Sequence, residues 1–408
     1  MQVNSSQPLR ALVSTIEPID GGVPTMTRWI CKLLEELNII PVLAWYAPWR
    51  TYPHMSIPMY KLFTGRRPQS KWQYAFDKYD GHAIGCWLPE LEFTHYLPGR
   101  QWMELINLCN LHIAVSGNSL CASPYVHLNL PFLAWIATPW NADRKDRVRE
   151  FSFSRKLLDA SINKPLLCHL EKKILRSPFA QILALSTYTS RELELLSGRD
   201  NYHVMYMPVD TSVFFPARDK TVEWKIGFSG RYADPRKNLR LLLSAVQILV
   251  RKGCNIQVVL VGERKASVVM PLINELGLSQ YVTCLTNLPA RELASILQTL
   301  DVFTIPSHQE GLCIAALEAM ACGVPVISTR CGGPEDYVKS GITGELVEQS
   351  PEVFAETIED ICRNRFKRNH LSEGAVEWIS RNASQDVTRR QFRQHFFCLA
   401  RRRGYVLD

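Results

Sequence analysis

Apolar residues in this chain come as short runs separated by amphipathic stretches. The runs 9–16, 39–46, 81–87, 111–115, 132–137, 182–185 and 204–207 have strand length and few polar positions, which predicts buried strands. After the first run, Val23, Met26, Ile30, Leu33, Leu34 and Leu37 recur at three- and four-residue spacing and predict a helix that buries one face. A second series starts at Trp224, with strands expected over 224–229, 256–261, 281–285, 302–306 and 326–329. Its helices are expected over 239–252, with Asn238 placed to cap it and Gly253 to end it, and over 291–300. Helices near 352–366 and 387–402 follow. Strands alternating with helices predict parallel sheets covered on both faces, an α/β architecture. Pro208–Val209–Asp210 interrupts the pattern, and 214–218 reads as a connection, so two doubly wound domains are expected, 1–210 and 211–408. Segment 47–79, rich in Pro, Trp, Tyr and basic residues, reads as irregular: a recognition segment or a packed surface loop.

Composition narrows the partners. The 408 residues are 46% hydrophobic and 21% charged, ordinary for a globular protein. A net charge of +8 suits phosphates, acidic polysaccharide or an anionic membrane face. The basic residues are scattered and no nucleic-acid-binding motif accompanies them, so nucleic acid is not an expected partner. No apolar run approaches the roughly 18 residues of a membrane span, and the first residues lack a basic segment followed by an apolar core. A cytoplasmic location follows as an expectation, with peripheral membrane contact as an addition to it. Twelve cysteines, Cys86, Cys313 and Cys322 among them, lie mostly in apolar segments without CxxC pairing, which predicts reduced thiols and no zinc site.

The stretch 301–348 concentrates the candidate chemistry. A strand ends at Pro306, a polar loop leads to Gly311, and a helix is expected from there, with Glu310 and Glu318 at its two ends. The N–H groups of Gly311, Leu312, Cys313 and Ile314 would lack partners within that helix, a setting that suits an anion or a polyol. Gly332–Gly333–Pro334 is expected to open another helix. Gly21 and Gly22 separate the first strand from its helix, either for close approach to a ligand or for a plain tight turn. Other chemistries lack their motifs: Gly227–Phe228–Ser229–Gly230 misses the GxSxG elbow, and no phosphate loop, HExxH or GxGxxG is present.

The ordered strings PSxxEGL, LEAMACGVPVI and GGPEDYV, with the Glu310 and Glu318 interval, resemble retaining glycosyltransferases of the GT-B fold in the glycosyl transferases group 1 family. The resemblance implies two Rossmann-like domains facing a central cleft, the second binding a nucleotide diphosphate sugar and the first a glycan or lipid-linked acceptor. The last helix is then expected to cross back to the first domain. Arg231 and Lys237 would hold the donor diphosphate and favour the charge that grows on the leaving phosphate. Glu310 would accept from a hydroxyl of the transferred sugar, and Glu318 from the ribose. Gly311, Leu312 and Cys313 would offer backbone N–H groups, with Gly21, Gly22 and Gly230 completing the donor surroundings. Arg231, Lys237 and Glu310 are thus the expected catalytic residues. No metal or cofactor is implied beyond the sugar nucleotide, in keeping with the lack of an Asp-x-Asp string. The expected activity is hexosyl transfer with retention, in polysaccharide or glycolipid assembly. The alternatives are a GT-B epimerase or hydrolase, and a degenerate member that binds a sugar nucleotide or a partner without transfer.

The sequence departs from the family pattern in three places. Leu312–Cys313 stands where an aromatic or bulky residue and then Gly are usual, and Met207–Pro208 where Asn–Gly is usual. Thr138–Pro139–Trp140 follows the strand after which the family carries a His, leaving His82 and His127 as candidates to replace it.

Overall fold

The computed structural model describes residues 8–18, 21–144, 148, 151–200, 202–216, 224–262 and 266–407. Residues 19–20 of the first loop and 217–218 of the connection lie outside them. The chain divides into two units, residues 206–388 and the remainder, 1–205 with 389–408.

In the first unit the described strands are β1 (Arg10–Thr15), β2 (Ile40–Tyr46), β3 (Ser70–Phe76), β4 (Tyr79–Ile84), β5 (Leu111–Ser116), β6 (Phe132–Ile136), β7 (Ala180–Ala184) and β8 (His203–Val204). They form one sheet in the order β3-β4-β2-β1-β5-β6-β7-β8, parallel throughout except for the β3–β4 pair at its edge. Leu12, Ala114, Ala134 and Ile182 alternate onto one face and pack with Trp102, Leu167 and Ile174 from helices. Trp135 faces Trp29 at 5.7 Å on helix Gly22–Glu36, and Trp29 meets Phe392 at 6.0 Å on the last helix, Gln385–Arg402. Both faces are therefore covered, as parallel strands require. Segment 47–79 is not irregular throughout, because β3 forms a hairpin with β4. The expected strand 81–87 accordingly begins two residues earlier and ends at Ile84.

In the second unit β9 (Trp224–Ser229), β10 (Ile256–Gly262), β11 (Val282–Thr286), β12 (Val302–Ile305), β13 (Val326–Thr329) and β14 (Gly344–Val347) form an all-parallel sheet in the order β11-β10-β9-β12-β13-β14. Ile226, Phe228, Val258 and Leu260 pack with Leu242, Val246, Phe354 and Ile358. Three expectations need correction here. Asn238 precedes helix Leu239–Arg251 in a left-handed conformation (φ 47°) and makes no side-chain cap, because it closes the 3₁₀ turn Pro235–Lys237, which Asp234 caps instead. The region expected near 352–366 holds two helices, Pro351–Arg363 and Arg365–Asn382, divided at Asn364, whose side chain caps the second. Gly332–Gly333–Pro334 opens only the 3₁₀ turn Gly333–Asp336.

Candidate functional site

The strand order of the second sheet reverses between β9 and β12. Crossovers on either side of such a point leave in opposite directions and open a crevice at the carboxyl ends of the strands. β9 hands over there to Gly230, Arg231 and the turn Pro235–Lys237, and β12 to the loop carrying Ser307, His308 and Glu310. The two loops are joined. The His308 N–H donates to the Arg236 carbonyl at 2.7 Å, and Lys237 Nζ donates to Glu310 Oε1 at 2.5 Å. The Ser307 hydroxyl donates to the same carboxylate oxygen at 2.8 Å.

Lys237 and Glu310 are 14% and 10% exposed, so water screens their attraction little. Burial alone would pull the Lys237 pKa down, but the Glu310 carboxylate outweighs it, and the ammonium is held above its ordinary value. Arg231 differs: its guanidinium is 53% exposed and donates to Asp234 Oδ2 at 2.7 Å. Asp234 also accepts from the Arg236 N–H at 3.1 Å. Its buried carboxyl would rise, but the bonds and charge of Arg236, with Arg231, bring it below the usual range. The site thus holds Lys237 enclosed, Arg236 largely buried against Asp234, and Arg231 with donors turned to solvent. Gly230 fits closely beside them, since a Cβ there would stand 3.3 Å from Lys237 Cε.

The helix expected from Gly311 begins at Ile314, because Cys313 takes the left-handed conformation (φ 65°) and turns the chain first. Glu310 N–H donates to the Cys331 carbonyl at 2.7 Å, and Gly333 N–H to the Glu310 carbonyl at 2.9 Å. The loop after β13 therefore lies directly on the turn after β12. The approach is so close that a Cβ on Gly333 would fall 2.0 Å from the Gly311 oxygen. Tyr337, fully buried, donates its hydroxyl to the Leu312 carbonyl at 2.6 Å. Gly311, Leu312 and Cys313 are thus a clamped turn leading into helix Ile314–Ala321, whose first N–H groups have no acceptor inside the helix. Glu318 sits farther along that helix, and burial pushes its carboxyl up to about 7. Burial likewise raises the Cys313 thiol to about 12, so it stays neutral.

Sequence reasoning missed Ser307 and Tyr337. A hydroxyl just past an apolar strand, three residues before Glu310, was the available signal for the first. Tyr337 left none, since its partners are backbone carbonyls.

Gly21 and Gly22 belong to the first unit. Gly21 (φ 143°) precedes helix Gly22–Glu36 and accepts from the Thr25 N–H at 3.2 Å. At the end of β6, the Trp140 N–H donates to Glu171 at 3.0 Å and its indole to Glu92 at 3.1 Å. Arg144 pairs with Glu92 and Asp159. The Thr138–Pro139–Trp140 departure thus builds a buried polar network. His82 packs edge-on to Trp72 at 4.6 Å, and His127 Nδ1 lies 2.9 Å from the Ser123 carbonyl, so local packing accounts for each. Near the end of β1, Glu17 is raised by burial and bonds to Tyr52, whose hydroxyl accepts from Gln73 at 2.7 Å. Among the described residues no cluster of three or more His, Cys, Asp or Glu could hold a metal ion.

Residues 212–378 match the family model described as "Glycosyl transferases group 1". The chain is similar to the D-inositol 3-phosphate glycosyltransferase of Corynebacterium urealyticum, 32% identical over 173 residues, 40% of this chain and 41% of that protein. It spans about half the length or less of the first curated relatives it matches, 48% for the namesake protein of Frankia alni. Among solved structures, sucrose-phosphate synthase from Thermosynechococcus elongatus superposes with a TM-score of 0.74 at 18% identity, over 97% of this chain and 100% of that one. Anabaena HepE in complex with UDP and glucose gives 0.67 at 16%, over 95% and 99%. These neighbours share the GT-B fold with its two Rossmann-like domains. The likeness to the glycosyl transferases group 1 family thus lies in residues 212–378, most of the second unit.

Proposed function

We propose that this protein transfers a hexosyl group from a nucleoside diphosphate sugar to a hydroxyl of a glycan or lipid-linked acceptor, with retention of configuration. One observation carries the reading: the Lys237–Glu310 pair, enclosed at the strand reversal and fixed by two bonded loops. Lys237 and Arg231 face the diphosphate, and their fixed charge favours the state in which the glycosidic C–O bond has broken. Glu310 accepts from a sugar hydroxyl, Glu318 from the ribose, and the clamped turn Gly311–Leu312–Cys313 offers its N–H groups. The acceptor oxygen bonds to the anomeric carbon on the face the phosphate leaves, and its proton passes to that phosphate. No metal is needed in this scheme, since side-chain cations supply the positive charge. In the first unit, Glu17, Tyr52 and Gln73 are the groups we assign to the acceptor, while Gly21 and Gly22 are assigned to the donor.

The Corynebacterium relative's name supports a cyclitol or sugar hydroxyl as acceptor, and HepE's complex supports UDP and UDP-hexoses as first probes. The test is incubation with UDP-hexoses and a panel of hydroxyl acceptors, followed by proton NMR of the product's anomeric coupling. A product with the donor's own configuration supports the proposal. An inverted product overturns retention, and donor consumed without acceptor identifies a hydrolase or epimerase. Nucleotide binding without turnover identifies a protein that has kept only recognition.

A further inference from the structure

Among the described residues no helix is long and apolar enough to cross a membrane, yet one segment of the first unit carries an unusual outer face. Helix Phe153–Leu158 runs through a π-type turn, Asp159–Asn163, into helix Lys164–Leu175. Four large apolar side chains stand out from it: Phe153 is 83% exposed, Leu157 63%, Leu166 44% and Ile162 37%. Their spacing is four, five and four, and the step of five falls where the wide turn inserts its extra residue, which keeps the row on one side. From Leu166 the row continues at three- and four-residue spacing through His169, Lys173 and Arg176. With Lys172 and Asn129 these basic residues line a cavity of about 420 Å³.

The charge on this face is one-sided for a structural reason. The segment contains two carboxylates, and both point inward: Asp159 is 4% exposed and paired with Arg144, and Glu171 is 1% exposed and bonded to Trp140 and Ser119. Arg155, Lys156, Lys164, Lys172 and Lys173 are all exposed. What remains outside is an apolar row flanked by cations and ending in a basic hollow. A helix of this make lies in the headgroup region of a bilayer, its apolar row among the acyl chains and its cations on phosphates.

We propose that the segment from Phe153 to Arg176 docks this protein on an anionic lipid bilayer, its basic hollow receiving lipid phosphate. The inference deepens the transferase reading, on which it rests for its purpose, because a lipid-linked acceptor is met at a membrane.

The test is flotation of the full chain with phosphatidylcholine vesicles and with vesicles in which phosphatidylglycerol makes up about a third of the lipid. The protein should float with the second and not the first, and added salt should release it. Lys164→Gln with Lys173→Gln should weaken partition about 30-fold, near fivefold for each charge. Leu157→Glu with Leu166→Glu should abolish it. Both pairs are exposed, and UDP binding measured without vesicles should match wild type in each. Flotation equal on both vesicles, none on either, or variants that float like wild type would overturn the proposal. A concentration-dependent dimer lost in Leu157→Glu with Leu166→Glu, without vesicle binding, would overturn it too and assign the face to a second copy of the chain. If the vesicle result holds while UDP binding is absent from wild type, the donor reading fails and the membrane surface stands.

Discussion

Lys237 Nζ and Glu310 Oε1 lie 2.5 Å apart although 73 residues separate them in the chain. Each enclosed charge answers the other, and removing one strands its partner. Lys237→Met should therefore lower stability by about 3 kcal/mol, and adding Glu310→Gln should recover most of that loss. Turnover should not recover, staying down by ~10²-fold or more in both variants. Urea unfolding and single-turnover assays measure the two effects separately. A double variant no more stable than Lys237→Met would contradict the pairing.

Gly333 permits the contact between the turns that follow β12 and β13. Gly333→Ala puts a methyl group where only 2.0 Å is free, and the obstacle is backbone. The turn at Gly311 must shift. UDP affinity should fall by about tenfold or more, since misplacing donors costs binding even when the fold persists. Titration calorimetry on the variant, with circular dichroism as a check on folding, reads this directly.

Cys313 occupies a backbone region that strains any residue with a Cβ. Cys313→Gly should stabilise the protein by up to about 1 kcal/mol, while Cys313→Val should destabilise it by ~1–2 kcal/mol. Equal stabilities in denaturant would show that the turn relaxes once the thiol is gone.

Tyr337→Phe removes one oxygen atom and leaves the buried Leu312 carbonyl without its donor. A loss of about 1–3 kcal/mol is expected, together with weaker UDP binding, because the clamp on the turn is released. Hydrogen exchange across 311–314 should quicken in the variant.

Glu318 gives a pH signature. Its folded-state value of about 7 lies above the ordinary 4.5, so the folded protein binds the extra proton between them. The corresponding stability is present below 4.5 and is lost as pH rises through about 7. Tm should fall over that window, and Glu318→Gln should flatten the fall. Glu171, also pushed up by burial to about 7, leaves a residual slope that Glu171→Gln removes in turn.

Much of this architecture was legible as apolar runs, because a strand covered on both faces must be apolar on both. Edge strand β3 was not: only Ala75 and Phe76 are buried, and Lys71, Trp72 and Tyr74 face outward. Helix Arg365–Asn382 escaped for a related reason, since Leu371, Ala375 and Ile379 alone are buried in an otherwise polar segment. At the site, Glu310, Glu318 and Lys237 could be proposed from spacing and resemblance. The late start of helix Ile314–Ala321 could not, because it depends on the conformation of one cysteine and on carbonyls held from another loop.

Trp29, near the start, rests against Phe392, near the end, and Phe392 stacks on Phe396 at 5.3 Å. Residues 206–388 form a separate unit between them. During synthesis the ribosome completes every strand of the first sheet long before it makes the helix that shields one side of it. Until residues 389–408 emerge, that surface stays open to chaperones or to premature sticking, and the second unit folds in the interval.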